Sequence, residues 1–521
     1  MKLISSILTL ILLSINTDSF SQEGDFQLEW GEKFKSKKTV VYDILAPSEN
    51  GFYAVEQSLR LFNRDLTLSR YEDNKPIKET ELLRAKERGV RYNQTVFEMQ
   101  GNLFIETLVS DKQSKVLTAD RVDKETLEPF EEDFTIFELD NFRQLRYSYS
   151  DYFVINSLEE TYRAYVIEEP GANESKSSLS SSVFDSEMNL VWESSFSLPY
   201  IKELSDVYAV TVSETGAVYV LMKVYKDKKK DRRGGERNYK FYILSIDETG
   251  LVSKEELVLG DKFILDLELG VNTQNEVICG GFYSVNNTVA NGVFYMALDS
   301  KSFGVLKTSL KKFEVDFLSQ GMSKGGAKRL AKKDAKGKDL GLSNISFRDF
   351  VLREDGGLLL IGEYQRIQVV TTTDANGGTS STTHYHFNDI YVININPNGD
   401  IDWAKKILKR QHTQDDGAFY SSFFLVVDES DLHFIFNDHP RNVNLAEGES
   451  VRSYRKSRKM STLMTVTMNA DGDQNRYVLV PAEENDGLLL RPRSCEQVTN
   501  GEFILFALNK KYNRFARVKM N

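Results

Sequence analysis

The chain has 521 residues, of which 40% are hydrophobic, and its formal net charge at pH 7 is −11. That hydrophobic fraction excludes an extensively disordered chain. The acidic balance argues against nucleic acid as the main partner, because most of the surface would repel backbone phosphates. Aromatic residues are plentiful, proline is scarce, and turns rich in Gly, Asn and Asp recur at short intervals. This composition favours a protein built from many short strands.

The N-terminus has the pattern of an export signal. A short basic start precedes an apolar run over residues 3–15, and Ser19 and Ser21 are small residues at the two positions that a signal peptidase reads. The run is too short for a stable membrane span. We therefore expect residues 1–21 to be cleaved near Ser21 and residues 22–521 to form one domain outside the cytoplasm, either periplasmic or secreted. No lipid anchor and no transmembrane segment are predicted.

Cys279 and Cys495 are the only cysteines, so a disulfide framework does not hold the protein together. A single bridge between the two is one alternative. We favour two buried thiols in neighbouring strands, because free cysteine behaves as a small hydrophobic residue.

Residues 346–409 contain the pattern that the rest of the chain repeats. They include four short predicted strands, SFRDFVLRED, GGLLLIGEYQR, YHFNDIYVININ and GDIDWAKKILK. Tight turns at 354–357 and 396–399 separate the first strand from the second and the third from the fourth, whereas a long polar loop over 371–383 joins the second and third. Four antiparallel strands cannot bury both faces alone, so such a unit must stack against copies of itself.

Similar units occupy most of the remaining sequence, over residues 39–84, 92–139, 146–198, 206–259, 264–313 and 420–481. Residues 488–520 contain only three strands, and the isolated strand at 26–34 can supply the fourth. The sequence therefore predicts an all-β fold, a single β-propeller of eight four-stranded blades closed by pairing of the N-terminal strand with the C-terminal blade. Closure would remove free sheet edges. Seven blades remain the alternative, because the third and last units are the least regular.

The three tryptophans support this repeat. Trp30, Trp192 and Trp403 are the only ones in the chain, and the pattern places each near the start of a fourth strand.

The fragment NDIYVININPNGDIDWAKKI, residues 388–407, resembles the secreted β-propeller repeats of bacterial surface proteins, in which a strand is followed by Asn or Asp, Gly and a Trp-bearing strand. It is also similar to quinoprotein-type blades, whose Thr-Gly turn matches Thr249-Gly250, although no Trp follows here. The resemblance covers single blades and implies a fold rather than an activity. A quinoprotein dehydrogenase would show more complete Trp docking, and a lipid-anchored assembly scaffold would carry a cysteine after its signal. No cofactor is predicted.

The long insertions are predicted on one face of the disc. Turns between first and second strands and between third and fourth strands share a face, and nearly all are short. The insertions at 169–178, 226–238, 320–344, 371–383 and 440–459 join second to third strands or link blades, so they lie on the opposite, long-loop face. Function usually resides on loops held by a rigid scaffold.

Three of these insertions are basic, at 226–237, 324–339 and 451–459. If they converge, they form a positive patch for an acidic partner; the alternative is that the charges only keep the surface soluble. The candidate partner-binding residues are Lys228, Lys229, Lys230, Arg232, Arg233, Lys328, Arg329, Lys332, Lys333, Arg455, Lys456, Arg458 and Lys459.

Motifs for catalysis or metal binding are few. His384 and His386 would point to one side of a strand, and a metal would need a third ligand such as His412 or Asp389. We favour an exposed histidine pair without a metal. Residues 469–473 lack the distal Glu of a calcium loop, so a hairpin turn is predicted.

The sequence therefore favours a secreted, non-catalytic binding or scaffold module whose long-loop face engages an acidic protein, an anionic polysaccharide or another partner in the cell envelope. The alternative is an extracytoplasmic hydrolase or lyase that acts on polysaccharide or peptide with carboxylates near the propeller axis. The oligomeric state is left open.

Overall fold

The structure is a computed structural model that describes residues 26–35, 39–45, 51–58, 66–82, 86–87, 90–110, 114–130, 134–140, 152–169, 176–375, 377–428, 431–445, 449–456, 461–499, 501–509 and 512–520. The predicted export signal lies outside these residues. Within them, no helix is both long enough and apolar enough to cross a membrane.

The first strands are β1 (Phe26–Trp30), β2 (Phe34–Lys35), β3 (Thr39–Leu45), β4 (Gly51–Ser58), β5 (Leu66–Glu72), β6 (Lys75–Leu82), β7 (Lys86–Glu87), β8 (Val90–Met99), β9 (Asn102–Ser110), β10 (Ser114–Arg121) and β11 (Phe134–Asp140). The next are β12 (Tyr152–Asn156), β13 (Tyr162–Glu169), β14 (Lys176–Asp185), β15 (Leu190–Ile201), β16 (Ser205–Val212), β17 (Val218–Tyr225), β18 (Arg232–Arg233), β19 (Glu236–Arg237), β20 (Tyr239–Asp247) and β21 (Gly250–Leu257). After them come β22 (Phe263–Val271), β23 (Glu276–Ser284), β24 (Gly292–Asp299), β25 (Val305–Lys312), the helices α1 (Val315–Ser319) and α2 (Lys324–Asp334), β26 (Ile345–Leu352), β27 (Leu358–Thr373), β28 (Thr379–Ile395), β29 (Ile401–Ile407) and β30 (Gln411–Gln414). The last strands are β31 (Phe424–Asp428), β32 (Asp431–Asp438), β33 (Thr462–Met468), β34 (Gln474–Val480), β35 (Leu489–Leu490), β36 (Glu496–Thr499), β37 (Glu502–Leu508) and β38 (Tyr512–Met520).

Among the described residues, eight antiparallel sheets of four or more strands follow one another, and we call them blades 1 to 8. Their main strands are β3–β6, β8–β11, β12–β15, β16–β17 with β20–β21, β22–β25, β26–β29, β31–β34, and β36–β38 with β1. In blades 1 to 7 the main strands are neighbours in sequence order. The prediction of eight four-stranded blades is confirmed, and the alternative of seven is wrong.

The two ends of the described chain meet in blade 8. β1 pairs with β38 in antiparallel register, from Phe26 opposite Met520 to Trp30 opposite Ala516. The outermost strand of the last blade is therefore contributed by the N-terminal segment. This pairing confirms the closure predicted from the strand count.

In the described part of the chain, each pair of neighbouring blades shares a cluster of buried hydrophobic residues, from blades 1 and 2 round to blades 8 and 1. At the last of these interfaces, Phe515 of blade 8 contacts Phe52 and Tyr71 of blade 1, with ring centroids 4.8 Å apart in both cases. Burial of one such ring contributes about 1.5–3 kcal/mol. Faces that a single blade cannot bury are thus buried between blades.

Two of the three tryptophans join blades in the same way. Trp192 and Trp403 each occupy the third residue of a fourth strand, and their indole N–H groups donate to backbone carbonyls of the next blade, at Gly216 (3.0 Å) and Ala470 (2.8 Å). Trp30 is instead the last residue of β1. The prediction that Trp30 lies near the start of a fourth strand, like Trp192 and Trp403, is therefore wrong. The reason is that β1 is not joined to β38 by a hairpin turn, which would fix the same register.

The predicted polar loop over 371–383 is also wrong. Residues Thr371–Thr373 pair with Thr379–Ser381, so most of this segment is strand and only a short turn remains at its tip. The Thr-rich sequence on both sides favours β structure, and the turn closes through a hydrogen bond from the Asp374 N–H to the Gly378 carbonyl of 2.8 Å.

Cys279 in β23 and Cys495 before β36 are buried free thiols, as predicted. They belong to blades 5 and 8, so their predicted placement in neighbouring strands is wrong. The prediction of a hairpin turn at 469–473 is confirmed, since the Asn469 side chain accepts hydrogen bonds from the backbone N–H groups of Asp471 and Asp473.

The docking of Trp403 can be tested through Gly472, whose φ is +77° and whose added Cβ would lie 2.8 Å from the indole. We expect Gly472→Ala to lower the free energy of unfolding by about 1–3 kcal/mol in urea denaturation. Gly216→Ala is the matched control, because φ is +78° there but the Cβ would lie 3.7 Å from Trp192, an ordinary contact. Equal losses of unfolding free energy in the two variants would show that the contact with Trp403 adds nothing to the effect.

A second test concerns Glu496 on the innermost strand of blade 8. Burial, together with the negative charges of Asp43 and Glu160, raises its pKa to about 7. Stability conferred by the protonated form is therefore lost as the pH rises through 7. We expect Glu496→Gln to raise the free energy of unfolding at pH 8 by about 1–3 kcal/mol and to change it little at pH 5. Urea denaturation at both pH values measures this, and the exposed Glu255→Gln variant should move neither value.

Candidate functional site

The most distinctive feature of the long-loop side is the extended hairpin of blade 6. Strands β27 and β28 have 16 and 17 residues, about twice the length of most other blade strands, and we call the projecting part, residues 365–387, the tongue. Strand β30 pairs with it along His384–Phe387. Tyr454 then extends the sheet beside β30, through hydrogen bonds from its N–H to the Arg410 carbonyl (2.8 Å) and from the His412 N–H to its own carbonyl (3.0 Å).

A buried polar network fixes the base of the tongue. Lys409 and Glu363 are fully buried and form an ion pair of 2.6 Å. The second carboxylate oxygen of Glu363 accepts from the Ser422 hydroxyl at 2.7 Å, and Gln411 accepts from Lys409 at 3.0 Å. Loss of one member of such a pair leaves an uncompensated buried charge, at a cost of about 3–5 kcal/mol. The network therefore holds the tongue in a defined position between blades 6 and 7.

Three histidines stack on one face of the tongue. Side chains alternate along a strand, so His384 and His386 share a face while Phe387 is buried on the other. His386 lies directly opposite His412 of β30, and their rings are 4.4 Å apart and nearly parallel, at 3°. The rings of His384 and His412 are 5.2 Å apart at 12°.

One end of the stack is tied by hydrogen bonds. Nδ1 of His384 lies 3.0 Å from Nε2 of His412 and 3.3 Å from the side-chain amide nitrogen of Gln414. The extra strand β30 thus sets the positions of both His412 and Gln414.

Beside the stack is an open cavity of about 700 Å³. We call it the arginine pocket, and it is lined by His386, Asn388, Arg410, His412, Arg441, Leu445, Glu449, Ser450, Val451, Arg452, Ser453 and Arg455. The lining comes from β28, from the link between blades 6 and 7, and from the insertion between β32 and β33.

The arginine pocket concentrates positive charge in an acidic protein. Arg410, Arg441, Arg452 and Arg455 are all exposed, and none of the four forms an ion pair with a carboxylate in the described part of the chain. Glu449 is the one carboxylate among the described residues of the lining. Four guanidinium groups without such partners repel one another, so the pocket favours an anion.

Burial and nearby arginines also lower the pKa values of two of the histidines. Burial, followed by repulsion from Arg366, His384 and Arg410, lowers the pKa of His386. Burial also lowers the pKa of His412, with further repulsion from the two neighbouring histidines, Arg455 and Arg410. Both rings are therefore held toward the neutral form.

Within the described residues, no group of three or more His, Cys, Asp or Glu side chains is arranged to hold a metal ion. Asp389, the other ligand considered, accepts a hydrogen bond from the Lys409 N–H at 3.2 Å.

One predicted partner-binding residue lines the arginine pocket, namely Arg455. Lys456 instead forms an ion pair with Asp416 at 3.3 Å and lies 4.7 Å above the Tyr420 ring. Arg458 and Lys459 lie outside the described residues.

The other two predicted clusters lie elsewhere on the surface, and none of their residues lines the arginine pocket. In the insertion of blade 4, Lys229 pairs with Asp206 at 2.6 Å and Arg233 pairs with Asp227. The third cluster forms the exposed helix α2, which carries Lys328, Arg329, Lys332 and Lys333. Whether these groups bind a partner stays a prediction.

Sequence reasoning missed most of the arginine pocket. Arg410 follows the repeat unit of blade 6, Arg441 precedes the basic run at 451–459, and Arg452 lies within that run but not among the candidate partner-binding residues. The signal that could have found them is that these arginines lie in links and insertions beside the blade that carries His384 and His386. His412 was considered only as a metal ligand.

Comparison with known proteins supports no identification beyond the fold. No family model and no curated protein matches the sequence. Similar solved structures include the WD40 domain of SCAP from fission yeast (11% identity, 97% of each chain, TM-score 0.39), the polysaccharide lyase Uly1 (9%, 92% of this chain and 90% of that one, TM-score 0.34) and the β-propeller domain of the Trilobed protease from Pyrococcus furiosus (10%, 69% and 78%, TM-score 0.31).

The electrostatic coupling in the pocket can be tested one arginine at a time. Arg455 repels the proton of His412, whereas Arg366, opposite His386 on the tongue, repels that of His386. We expect Arg455→Gln to raise the pKa of His412 more than that of His386, and Arg366→Gln to do the reverse. Histidine NMR titrations measure both, and identical responses in the two variants would contradict this assignment.

Proposed function

We propose that the protein is exported and that its arginine pocket binds an anionic polysaccharide, so that the propeller acts as a binding module on the long-loop side. The observation that supports this proposal best is the set of four exposed arginines around one cavity, none paired with a described carboxylate. The four guanidinium groups repel one another, and an anion in the cavity relieves that repulsion.

The remaining lining suits a carbohydrate. Asn388 lines the cavity with a side-chain amide, a group that can both donate and accept hydrogen bonds. Ser450 and Ser453 add hydroxyl groups that can donate or accept, and Leu445 and Val451 add apolar surface. A ligand with both acid groups and hydroxyls uses this combination more fully than a simple inorganic anion does.

The shape also favours a chain over a small solute. A cavity of about 700 Å³ is large enough for several sugar rings, and it is open to solvent on the surface of the molecule. Four guanidinium groups contributed by different segments can contact acid groups on successive sugars. Planar guanidinium groups bind carboxylate and sulfate oxygens in a bidentate manner.

The axis offers a second, enzymatic candidate. Burial raises the pKa of Asp43, Glu268 and Asp349, which lie on the inner strands β3, β22 and β26. Carboxylates of this kind could serve a hydrolase acting near the axis. We prefer the arginine pocket, since its charges are exposed to solvent and lack partners.

Binding should depend on the pocket arginines. We expect the Arg452→Gln/Arg455→Gln variant to bind an alginate oligosaccharide about 10²–10⁴-fold more weakly than the unchanged protein, because each of the two lost charge-assisted hydrogen bonds contributes about 1.5–3 kcal/mol. Calorimetry at low and moderate salt measures the dissociation constants.

Two controls separate specific binding from general attraction. The Lys328→Gln/Lys332→Gln variant removes the same charge from helix α2 and should bind as the unchanged protein does. A neutral 1,4-linked cello-oligosaccharide should not bind. Equal weakening by the two double variants, or equal binding of polyglutamate and alginate, would show that net charge alone governs the interaction.

A further inference from the structure

We propose that His412 is the general base of a β-elimination that cleaves 4-linked uronate polysaccharides in the arginine pocket. This inference rests on the proposed function, because it requires the pocket to hold a polyanionic chain. It adds a lyase activity to binding and places the chemistry on the long-loop side instead of the axis.

The hydrogen bonds of the cluster define the tautomer of His412 that the reaction requires. The side-chain amide nitrogen of Gln414 and Nε2 of His412 lie 3.3 Å and 3.0 Å from Nδ1 of His384. With Nδ1 of His384 as the acceptor, Nε2 of His412 is a donor. In the neutral ring of His412 this leaves Nδ1 unprotonated, with a lone pair available for a substrate proton.

The surroundings keep that nitrogen ready to accept a proton. Burial lowers the pKa of His412, and the charged and titratable groups that act on it, His386, His384, Arg455 and Arg410, lower it further. The ring is therefore neutral near pH 7, which a general base requires. Gln414 and His384 act through His412 and are positioning residues.

The elimination also requires a group that neutralises the substrate carboxylate, and the arginines provide it. The hydrogen on C5 of a uronate is α to the carboxylate, and its removal places negative charge on that carboxylate. Arg410 and Arg455 line the pocket together with His412, and their charges act on its ring. A carboxylate held by these guanidinium groups is neutralised, which stabilises the enolate-like transition state.

The step balances without a further reactant. Nδ1 of His412 takes the C5 proton, the electron pair of the C5–H bond forms a C4=C5 double bond, and the C4–O4 bond breaks. The departing oxygen stays with the neighbouring sugar and takes up a proton, supplied by the imidazolium of His412 or by water. The products are an unsaturated uronate end and a new reducing end.

The experiment follows the ultraviolet absorbance of the new double bond, which is conjugated with the carboxylate, using alginate, polygalacturonate and unsulfated chondroitin as probes. We expect at least one polymer to be cleaved and His412→Gln to lower kcat by about 10²–10⁴-fold. Calorimetry on the same samples should show that this variant still binds the polymer, which establishes that it is folded. For the unchanged protein, kcat/KM should rise with pH, with a midpoint below the ordinary imidazole value of 6.5.

Gln414→Ala tests the positioning role. Without the amide donor, His384 can donate from Nδ1 and move the proton of His412 to its own Nδ1. We expect kcat to fall while KM stays the same, whereas Lys332→Gln on α2 should leave both unchanged.

Two results would overturn the elimination and leave binding intact: polymer binding without any double bond, or an unchanged cleavage rate in His412→Gln. Failure of all three polymers to bind would instead overturn the proposed function.

Discussion

Burial of sheet faces between blades is the constraint on which the rest of the structure depends. A four-stranded antiparallel sheet has two faces and a small core, so it is stable only where both faces meet another sheet. In the described residues, a shared hydrophobic cluster joins every neighbouring pair of blades, including the pair that brings the chain ends together. The pairing of β1 with β38 matters because it completes blade 8, whose faces pack against blades 7 and 1.

This scaffold explains how an irregular surface can hold charges in fixed places. The tongue continues two strands of blade 6, and β30 and the Tyr454 segment add to its edge, so the pocket lining is supported by backbone hydrogen bonds. At its base, the charges of Glu363 and Lys409 are buried and paired. Beside the tongue, the guanidinium groups of the arginine pocket are exposed and have no paired carboxylate among the described residues. The buried ion pair fixes the position of the tongue, and the exposed guanidinium groups leave positive charge available to a ligand.

The arginine pocket and the inner strands shift proton affinity in opposite directions. Burial and repulsion by arginines lower the pKa of His386 and His412, which favours neutral bases beside a site for anions. On the inner strand of blade 8, burial and repulsion by other carboxylates raise the pKa of Glu496, which favours a neutral acid. Both effects arise because burial penalises the charged form, whichever sign it has.

The sequence by itself determined the repeat and the closing strand and favoured eight blades, whereas the structure decided between eight and seven. Alternating apolar residues and short Gly- and Asn-containing turns, such as the one at 396–399, are local signals that act over a few residues. The positions of Trp192 and Trp403 followed from the same pattern. The tertiary structure alone decided that Trp30 lies in a different register, that residues 371–383 are mostly strand, and that Arg410, Arg441, Arg452 and Arg455 surround one cavity. The physical reason is that each of these features depends on residues far apart in the chain. Trp30 has no connecting turn to set its register, the tongue is extended by an added edge strand, and the charges converge from two blades, so no local pattern records them.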